Sequence, residues 1–306
     1  MSLAPIAIFA FNRPDALARL LDSLKRNPEA GQSRIYIFID GARSPIEQMR
    51  VLNVERVARD FRTSGHVEVI KRTSNLGLAK SIISGIDRVF EEFDSLIVLE
   101  DDLVVAENFL RFCNVGLDRY ADVLNVASIQ GFTHELGYRK HDVYFMMGAD
   151  CWGWATWKNR WQEFEPDGSK LLKNLRGSKR EAEFDLKGSY PYTKMLERQA
   201  LGLVDSWAIR WHASMFLQNR LSLYPSQTLV ENYGQDGSGT HIGSDDFVPR
   251  ELTSFQPKLE DIPVTESAEV RRKIRKALRE KYGTYSFFYP KKYSNFLRRK
   301  ISDAVR

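Results

Sequence analysis

Leu96-Ile97-Val98-Leu99-Glu100-Asp101-Asp102 runs from four apolar residues straight into three carboxylates. A short, fully apolar run reads as a strand covered on both faces, the kind found in parallel sheets. Three acids at its end repel one another and lose hydration, a cost a protein accepts when a cation or hydrogen-bond donors sit among them. The bland alternative is a strand end that turns into solvated acids and caps the next helix.

The flanking sequence repeats the pattern. Pro5 to Phe11, Ile35 to Ile39 and Val67 to Ile70 are further runs of strand length. Between them lie helical stretches. Pro14 sits where a first helical turn favours it, and Leu17, Leu20, Leu21 and Leu24 form one apolar face. Residues 45–62 read as a more exposed helix, and Asn75-Leu76-Gly77 opens another that carries Ile82, Ile86, Val89, Phe90 and Phe93. Alternating strands and amphipathic helices predict an α/β fold with a mostly parallel central sheet flanked by helices. Ligands on such sheets bind beyond the carboxyl ends of the strands. That rule puts Asn12-Arg13, Asp40-Gly41 and the acidic triplet on one rim, which tips the triplet towards a binding role. No Gly-x-Gly-x-x-Gly turn follows the first strand, which argues against an ordinary dinucleotide fold.

At 306 residues with 43% hydrophobic and 28% charged residues, the chain has the composition of one large globular domain or two intimately joined ones. No apolar run reaches the roughly 20 residues of a spanning helix, and Met1-Ser2-Leu3 does not begin a secretory signal. Cys113 and Cys151 provide neither a disulfide framework nor metal-ligand spacing. A cytoplasmic setting is the expectation. The net charge of +5 is uneven: Arg271 to Arg306 holds 13 Lys and Arg against Glu280 and Asp303, a surplus of +11 that leaves −6 on residues 1–270. The basic character belongs to the tail, and no nucleic-acid partner is expected.

Hard carboxylate oxygens suit Mg²⁺ or Mn²⁺, ions that commonly take one or two protein carboxylates together with substrate phosphates. On the motif from Ile97 to Ala106, with Leu78 to Phe93 before it and Glu107-Asn108-Phe109-Leu110 after it, the chain resembles inverting GT-A glycosyltransferases. It is similar both to bacterial family-2-like sugar transferases and to the animal N-acetylglucosaminyltransferase that begins complex N-glycans. The likeness weakens further on but has scattered points to about residue 243. It implies a GT-A (Rossmann-like) fold with a smaller acceptor-side region and a basic C-terminal tail. The expected division is 1–110 for the nucleotide-sugar half, 111–248 for the acceptor and catalytic half, and 249–306 for a linker and basic aromatic helical tail.

Position by position, the resemblance implies that Asp102 ligates the metal (Mn²⁺ or Mg²⁺), that Asp101 approaches the donor ribose and that Glu100 supports the nucleotide–sugar region. Asp40 resembles the carboxylate that reads a uracil edge, and Arg13 the arginine beside the nucleotide. Asn75, Gly77 and Lys80 occupy the segment that closes over the uridine and phosphates. Each also has a plain reading: a surface ion pair for Arg13, turn and cap for Asn75 and Gly77, a solvated helix residue for Lys80.

Gly148 to Trp154 combines small residues with aromatic ones beside Asp150. The resemblance places Asp150 and Trp152 by the donor sugar, whereas the spacing of Trp152, Trp154, Trp157 and Trp161 also fits a helix-borne core cluster. Val204-Asp205-Ser206-Trp207 resembles the segment that supplies the catalytic base, so Asp205 is the expected base unless it only caps the following helix. Residues 166–190 read as polar, with a mobile loop. Asn232 to His241 carries three glycines within six residues; the resemblance gives Ser238 and Thr240 to phosphate and His241 to phosphate or metal, against a surface loop with an incidental histidine. His66, His134, His141 and His212 have no ligand spacing.

In the tail, Val270, Ile274, Leu278 and Tyr282 lie four apart among Arg and Lys, and aromatic and basic residues alternate to Lys300. Basic plus aromatic without a spanning segment suggests an interfacial anchor on an anionic membrane through residues 268–306; the other reading is a helix packed back on the body. The expectation is therefore a metal-dependent inverting hexosyl- or N-acetylhexosaminyltransferase. It would use a nucleoside diphosphate sugar, UDP favoured because of Asp40, and a glycan or lipid-linked glycan acceptor in surface polysaccharide or lipopolysaccharide biosynthesis. The rivals are a nucleotidyltransferase, which would show a glycine-rich basic loop where Phe11-Asn12-Arg13-Pro14 stands, and a non-catalytic carbohydrate- or nucleic-acid-binding protein working through its tail.

Overall fold

The computed structural model describes residues 3–234 and 251–282. The first hundred residues alternate as read: β1 (Ile6–Ala10), α1 (Pro14–Lys25), β2 (Ile35–Ile39), α2 (Pro45–Asp60), β3 (Val67–Lys71), α3 (Leu78–Phe90) and β4 (Ser95–Glu100). β1 pairs in parallel with both β2 and β4, and β2 with β3, so four parallel strands lie in the order β3-β2-β1-β4. Their side chains alternate between faces, as the two-residue strand period requires. Ile6, Ile8, Ile35, Ile37, Ile97 and Leu99 join one buried cluster with Leu17, Leu20 and Val54 of α1 and α2. Ala7, Phe9, Phe38 and Val98 join a second with Ile82, Ile86 and Val89 of α3. This is the two-sided cover predicted from the apolar runs.

The chain continues through β5 (Leu103–Val105), α4 (Phe109–Arg119), β6 (Val126–Gln130), β7 (Val143–Met147), β8 (Trp154–Trp157) and α5 (Lys158–Trp161). β8 runs antiparallel between β4 and β6, and β9 (Leu221–Pro225) and β7 complete an eight-stranded sheet. Four of the seven neighbouring pairs are parallel. β5 pairs with β10 (Val230–Asn232) in a separate two-stranded sheet just past the acidic triplet.

Two readings are corrected here. The tryptophans do not share a helix. Trp154 and Trp157 lie on β8, three residues apart and hence on opposite sheet faces: Trp157 packs in the first cluster and Trp154 in the second. Trp154 meets Trp161, Trp207 and Trp211 at ring separations of 6.0, 5.6 and 5.5 Å. Residues 166–190, read as polar with a loop, are mainly helical, with α6 (Gly168–Ser178) and α7 (Glu181–Phe184). Asp167 caps α6 by accepting the Ser169 and Lys170 N–H groups, and Leu171, Leu175 and Phe184 pack with Leu196 of α8 (Tyr192–Ala200) and with Ile209 and Phe216 of α9 (Trp207–Leu217). Sparse apolar residues, each placed inward, were enough.

Beyond residue 250 the chain is a strap without regular structure, whose Leu252, Phe255, Leu259, Ile262 and Val264 pack on the first cluster. It leads to α10 (Ala268–Tyr282), where Val270 and Leu278 are buried and Val270 and Ile274 pack with Tyr138, Tyr144, Met146 and Tyr224. Along residues 268–282, then, the apolar stripe lies against the body, as the packed-helix reading held. Residues 283–306 lie outside the described part. Among the described residues no helix is long and apolar enough to cross a membrane.

Candidate active site

The register sets Phe9 of β1 beside Glu100 of β4 and Ala10 beside Ile39 of β2, so the segments after these strands emerge together. Arg13, one residue ahead of α1, turns back over the rim. Its Nη2 donates to Asp101 Oδ1 and lies 3.2 Å from Asp102 Oδ2. Asp101 is buried and also accepts the Phe11 N–H at 3.3 Å. Burial raises its pKa to about 6, against the opposing pull of Arg13. Glu100, partly covered at the strand end, is pushed up to about 8, first by lost hydration and then by Asp102 and Asp101. One guanidinium therefore serves three crowded carboxylates. Arg13 Nη1 is buried and has no hydrogen-bond partner among the described residues, a donor left over beside the acids.

Asp40 has a second task on the same rim. Oδ1 accepts from Leu76 N at 2.9 Å and Gly41 N at 3.0 Å, and Oδ2 accepts from Gly77 N at 3.0 Å. Asn75 Nδ2 returns a bond to Gly41 O at 2.7 Å. Gly77 has φ +79°, a conformation L side chains avoid. Asp40 thus clamps the Asn75–Gly77 turn onto the end of β2. The plain reading of Asn75 and Gly77 as turn and cap is correct as far as their contacts go.

The distal end of the triplet meets a late part of the chain. Tyr233 N donates to Asp102 O at 2.8 Å, and a Cβ on Gly234 would overlap Asp102 Oδ2. The glycine-rich segment accordingly starts against Asp102. Ser238, Thr240 and His241 lie outside the described residues. Asp150, Glu100 and Asp102 all act on the Cys151 thiol, whose pKa burial and these charges push far up. Asp150 accepts the Cys151 N–H at 2.7 Å, and burial raises its pKa. Trp152 packs edge-on against Phe132 at 4.5 Å.

Asp205 lies beside Gly77 of the clamped turn. Its Oδ2 lies 3.9 Å from where a Cβ on Gly77 would be, and Oδ1 accepts from Arg210 Nη2 at 3.2 Å. With a side chain 63% exposed, it lines a cavity of about 220 Å³ together with Lys80, Ser84, Asp87 and Arg210. This cavity follows α3 along the flank of the sheet, and none of the three acids lines it. The cap of α9 is Ser206, which accepts the Ile209 N–H, so the capping alternative for Asp205 is wrong.

Arg210 and three tyrosines near Asp150 escaped the sequence reading, whereas His212, which has no ligand spacing, takes the core role expected of it. Arg210, buried, holds Asp205 while also donating to Ser206 O and Pro166 O. His212 sets Nδ1 2.8 Å from Ala149 O, stacks on Tyr192 and is lowered to about 4 by burial. It braces the Gly148–Asp150 turn as a core histidine, not a ligand. Tyr190 and Tyr192 from one segment and Tyr224 from another lie within electrostatic reach of Asp150. Arg210 and His212 lie within α9 and had no local signal beyond the helix itself, and the tyrosines had none.

The described residues contain no group of three or more His, Cys, Asp or Glu arranged to hold a metal ion. What they offer is Asp102, a hard oxygen donor with a partly exposed side chain, beside two further carboxylates and a single countercharge. That donor set fits an ion that keeps waters and takes phosphate oxygens rather than an all-protein cage.

Among known families, the model of Glycosyl transferase family 2 matches residues 6–175. No curated protein matches. Among solved structures the chain is similar to S. aureus TarS, in its crystal structure of residues 1–349, at 10% identity and a TM-score of 0.31. The match covers 48% of this chain and 42% of that one, so the chain spans less than half the length of that structure.

Proposed function

We propose that this chain, which belongs to glycosyl transferase family 2, moves a hexosyl or N-acetylhexosaminyl unit from a nucleoside diphosphate sugar to a glycan or lipid-linked glycan hydroxyl. UDP is the favoured nucleotide. The acceptor class fits surface polysaccharide or lipopolysaccharide assembly, at the cytoplasmic face of the membrane. The observation that carries this reading is the meeting of Arg13, the Asp40-clamped turn and the acidic triplet on one rim.

In this reading the first half of the fold, residues 1–110, holds the donor. Asp40 fixes the turn that covers the nucleotide, and Asn75, Gly77 and Lys80 border it. Its carboxylate reads the base only with the lone pairs left over from three backbone N–H groups. Arg13 Nη1 donates to the nucleotide. Asp101 orients Arg13 and faces the ribose side, Glu100 and Asp150 take sugar hydroxyls, and Trp152 borders the sugar. Asp102 would hold Mn²⁺ or Mg²⁺, with His241 as a second candidate ligand and Ser238 and Thr240 towards phosphate. The bound ion supplies Lewis-acid stabilisation of charge on the leaving diphosphate. Asp205 withdraws the acceptor proton as general base. One displacement inverts the anomeric centre, whereas a carboxylate nucleophile would give retention.

The test is a screen of nucleotide sugars for metal-dependent hydrolysis, run beside thermal stabilisation by UDP and GDP with and without Mn²⁺. Stabilisation by neither nucleotide under any metal condition, with a folded protein, removes the donor assignment. The family assignment speaks against the nucleotidyltransferase and non-catalytic rivals.

A further inference from the structure

A helix advances about 100° per residue, so α10 can be mapped by position. Val270, Ile274 and Leu278 point to one side and pack on the body. Arg272, Arg275, Lys276 and Arg279 recur at i, i+3, i+4 and i+7, on the opposite side. The cations at the border of the stripe are held by the protein. Arg271 pairs with Glu266 at 2.8 Å and donates to Glu183 O, and Lys273 Nζ donates to Leu136 O at 3.2 Å. The central four are held far less. Among the described residues Lys276 approaches Glu280, at 3.8 Å, and Arg279 reaches Lys187 O at 3.2 Å. Nε of both Arg275 and Arg279 is without a hydrogen-bond partner among the described residues. Arg272, Arg275, Lys276, Arg279 and Glu280 line an open groove of about 320 Å³. Burial and the charges of Arg279 and Arg271 lower the proton affinity of Arg275, the mark of a site short of anions.

We propose that this stripe is a docking face for anionic lipid headgroups, binding by charge alone while the apolar side of α10 stays on the protein. Four cations in one line on a straight helix match a plane of phosphates. A polyanion that wraps, such as nucleic acid, would extend past the helix and meet residues 1–270, which carry −6. The helix also ends near the candidate site: Tyr282 packs edge-on against Tyr190 at 5.6 Å, and Tyr190 lies within electrostatic reach of Asp150. Docked this way, the protein would present that site towards a lipid-borne acceptor. This purpose rests on the proposed glycosyl transfer; the binding itself does not.

The test is co-sedimentation of the full chain with vesicles of phosphatidylglycerol and phosphatidylcholine, or of phosphatidylcholine alone, at about 0.1 M and 1 M salt, where screening lengths differ about threefold. The expected result is binding to the anionic vesicles only, lost at high salt, and about a hundredfold weaker for the triple variant R272Q/R275Q/K276Q, at roughly fivefold per cation. Unchanged binding by the triple variant overturns the proposal, as does wild-type binding that survives high salt or is absent altogether. So does displacement from the vesicles by an equimolar oligonucleotide. The salt series uses the wild type, so binding that is absent or survives high salt overturns the proposal even if the variant does not fold. Nucleotide-induced stabilisation on the same preparations reports separately on the donor site.

Discussion

Arg13 Nη2 sits between Asp101 Oδ1 and Asp102 Oδ2, 3.2 Å from the latter, so the side chain entering α1 neutralises the end of β4. The two elements are distant in sequence and adjacent in the sheet. Asp101 is locked into the fold by this contact, whereas Asp102, with 17% of its side chain exposed, stays available at the rim. The difference between these neighbouring carboxylates gives the first two predictions.

Arg13→Gln leaves Asp101 buried without its countercharge, and the expected loss of stability at pH 7 is about 1–3 kcal/mol. The native pKa of Asp101 is already raised to about 6 and rises further in the variant. A native pKa above the unfolded value favours the native state as pH falls. The deficit relative to wild type should therefore shrink between pH 7 and pH 5, which urea melts at the two pH values will show. A deficit that grows on acidification contradicts the pairing.

Asp102→Asn should leave the melting temperature nearly unchanged and lower both Mn²⁺ affinity and turnover, turnover by about a hundredfold or more. Isothermal titration with Mn²⁺ in the presence of UDP separates this from a folding defect. Retained affinity and turnover in the folded variant would remove Asp102 from the site.

Gly234→Ala forces a methyl group onto Asp102 Oδ2. The carboxylate is the movable partner, so the change is expected to reduce kcat/KM by about tenfold, the scale of a small misplacement of a catalytic group, with little loss of stability. Circular dichroism melts alongside steady-state kinetics check both halves of that statement.

Asp205→Asn should lower kcat by roughly 10²–10⁴, the usual range for general-base removal, and leave donor KM in place. Its ion pair with Arg210 is largely exposed on the Asp205 side, so stability should change by less than about 1 kcal/mol. A variant with wild-type kcat would move the base elsewhere, and the position of Asp205 on the flank of α3 makes this the most informative single measurement.

His212 is neutral in the fold, its pKa lowered to about 4 from an ordinary value near 6.5. The unfolded chain binds the extra proton between those values, so the stability contributed by the neutral ring is complete above pH 6.5. It declines as pH falls towards 4. The wild-type curve should drop by about 2–3 kcal/mol more than that of His212→Gln over this window. The difference curve isolates it from Asp185, whose raised pKa of about 6 acts in the opposite direction.

The strands β1 to β4, the helices between them and the shared rim were legible because each run is covered on both sides, and such strands have one composition wherever they occur. The tryptophan segment was misread because spacings of three and four suit a helix, while β8 uses Trp154 and Trp157 on two different faces. Residues 166–190 were misread because a small helical layer needs only a few inward residues, such as Leu171, Leu175 and Phe184, among many polar ones.

The sequence by itself determined the α/β architecture and the place of the acids, since hydrophobic periodicity and a strand's end are local properties of the chain. Only the tertiary structure decided which acid is enclosed and which is open, that Asp40 is bound up with Gly77, that Gly234 closes on Asp102, and that α10 turns its apolar side inward. Those outcomes depend on distances between segments far apart in the chain. Burial and charge at one residue are set there by partners that no local pattern names.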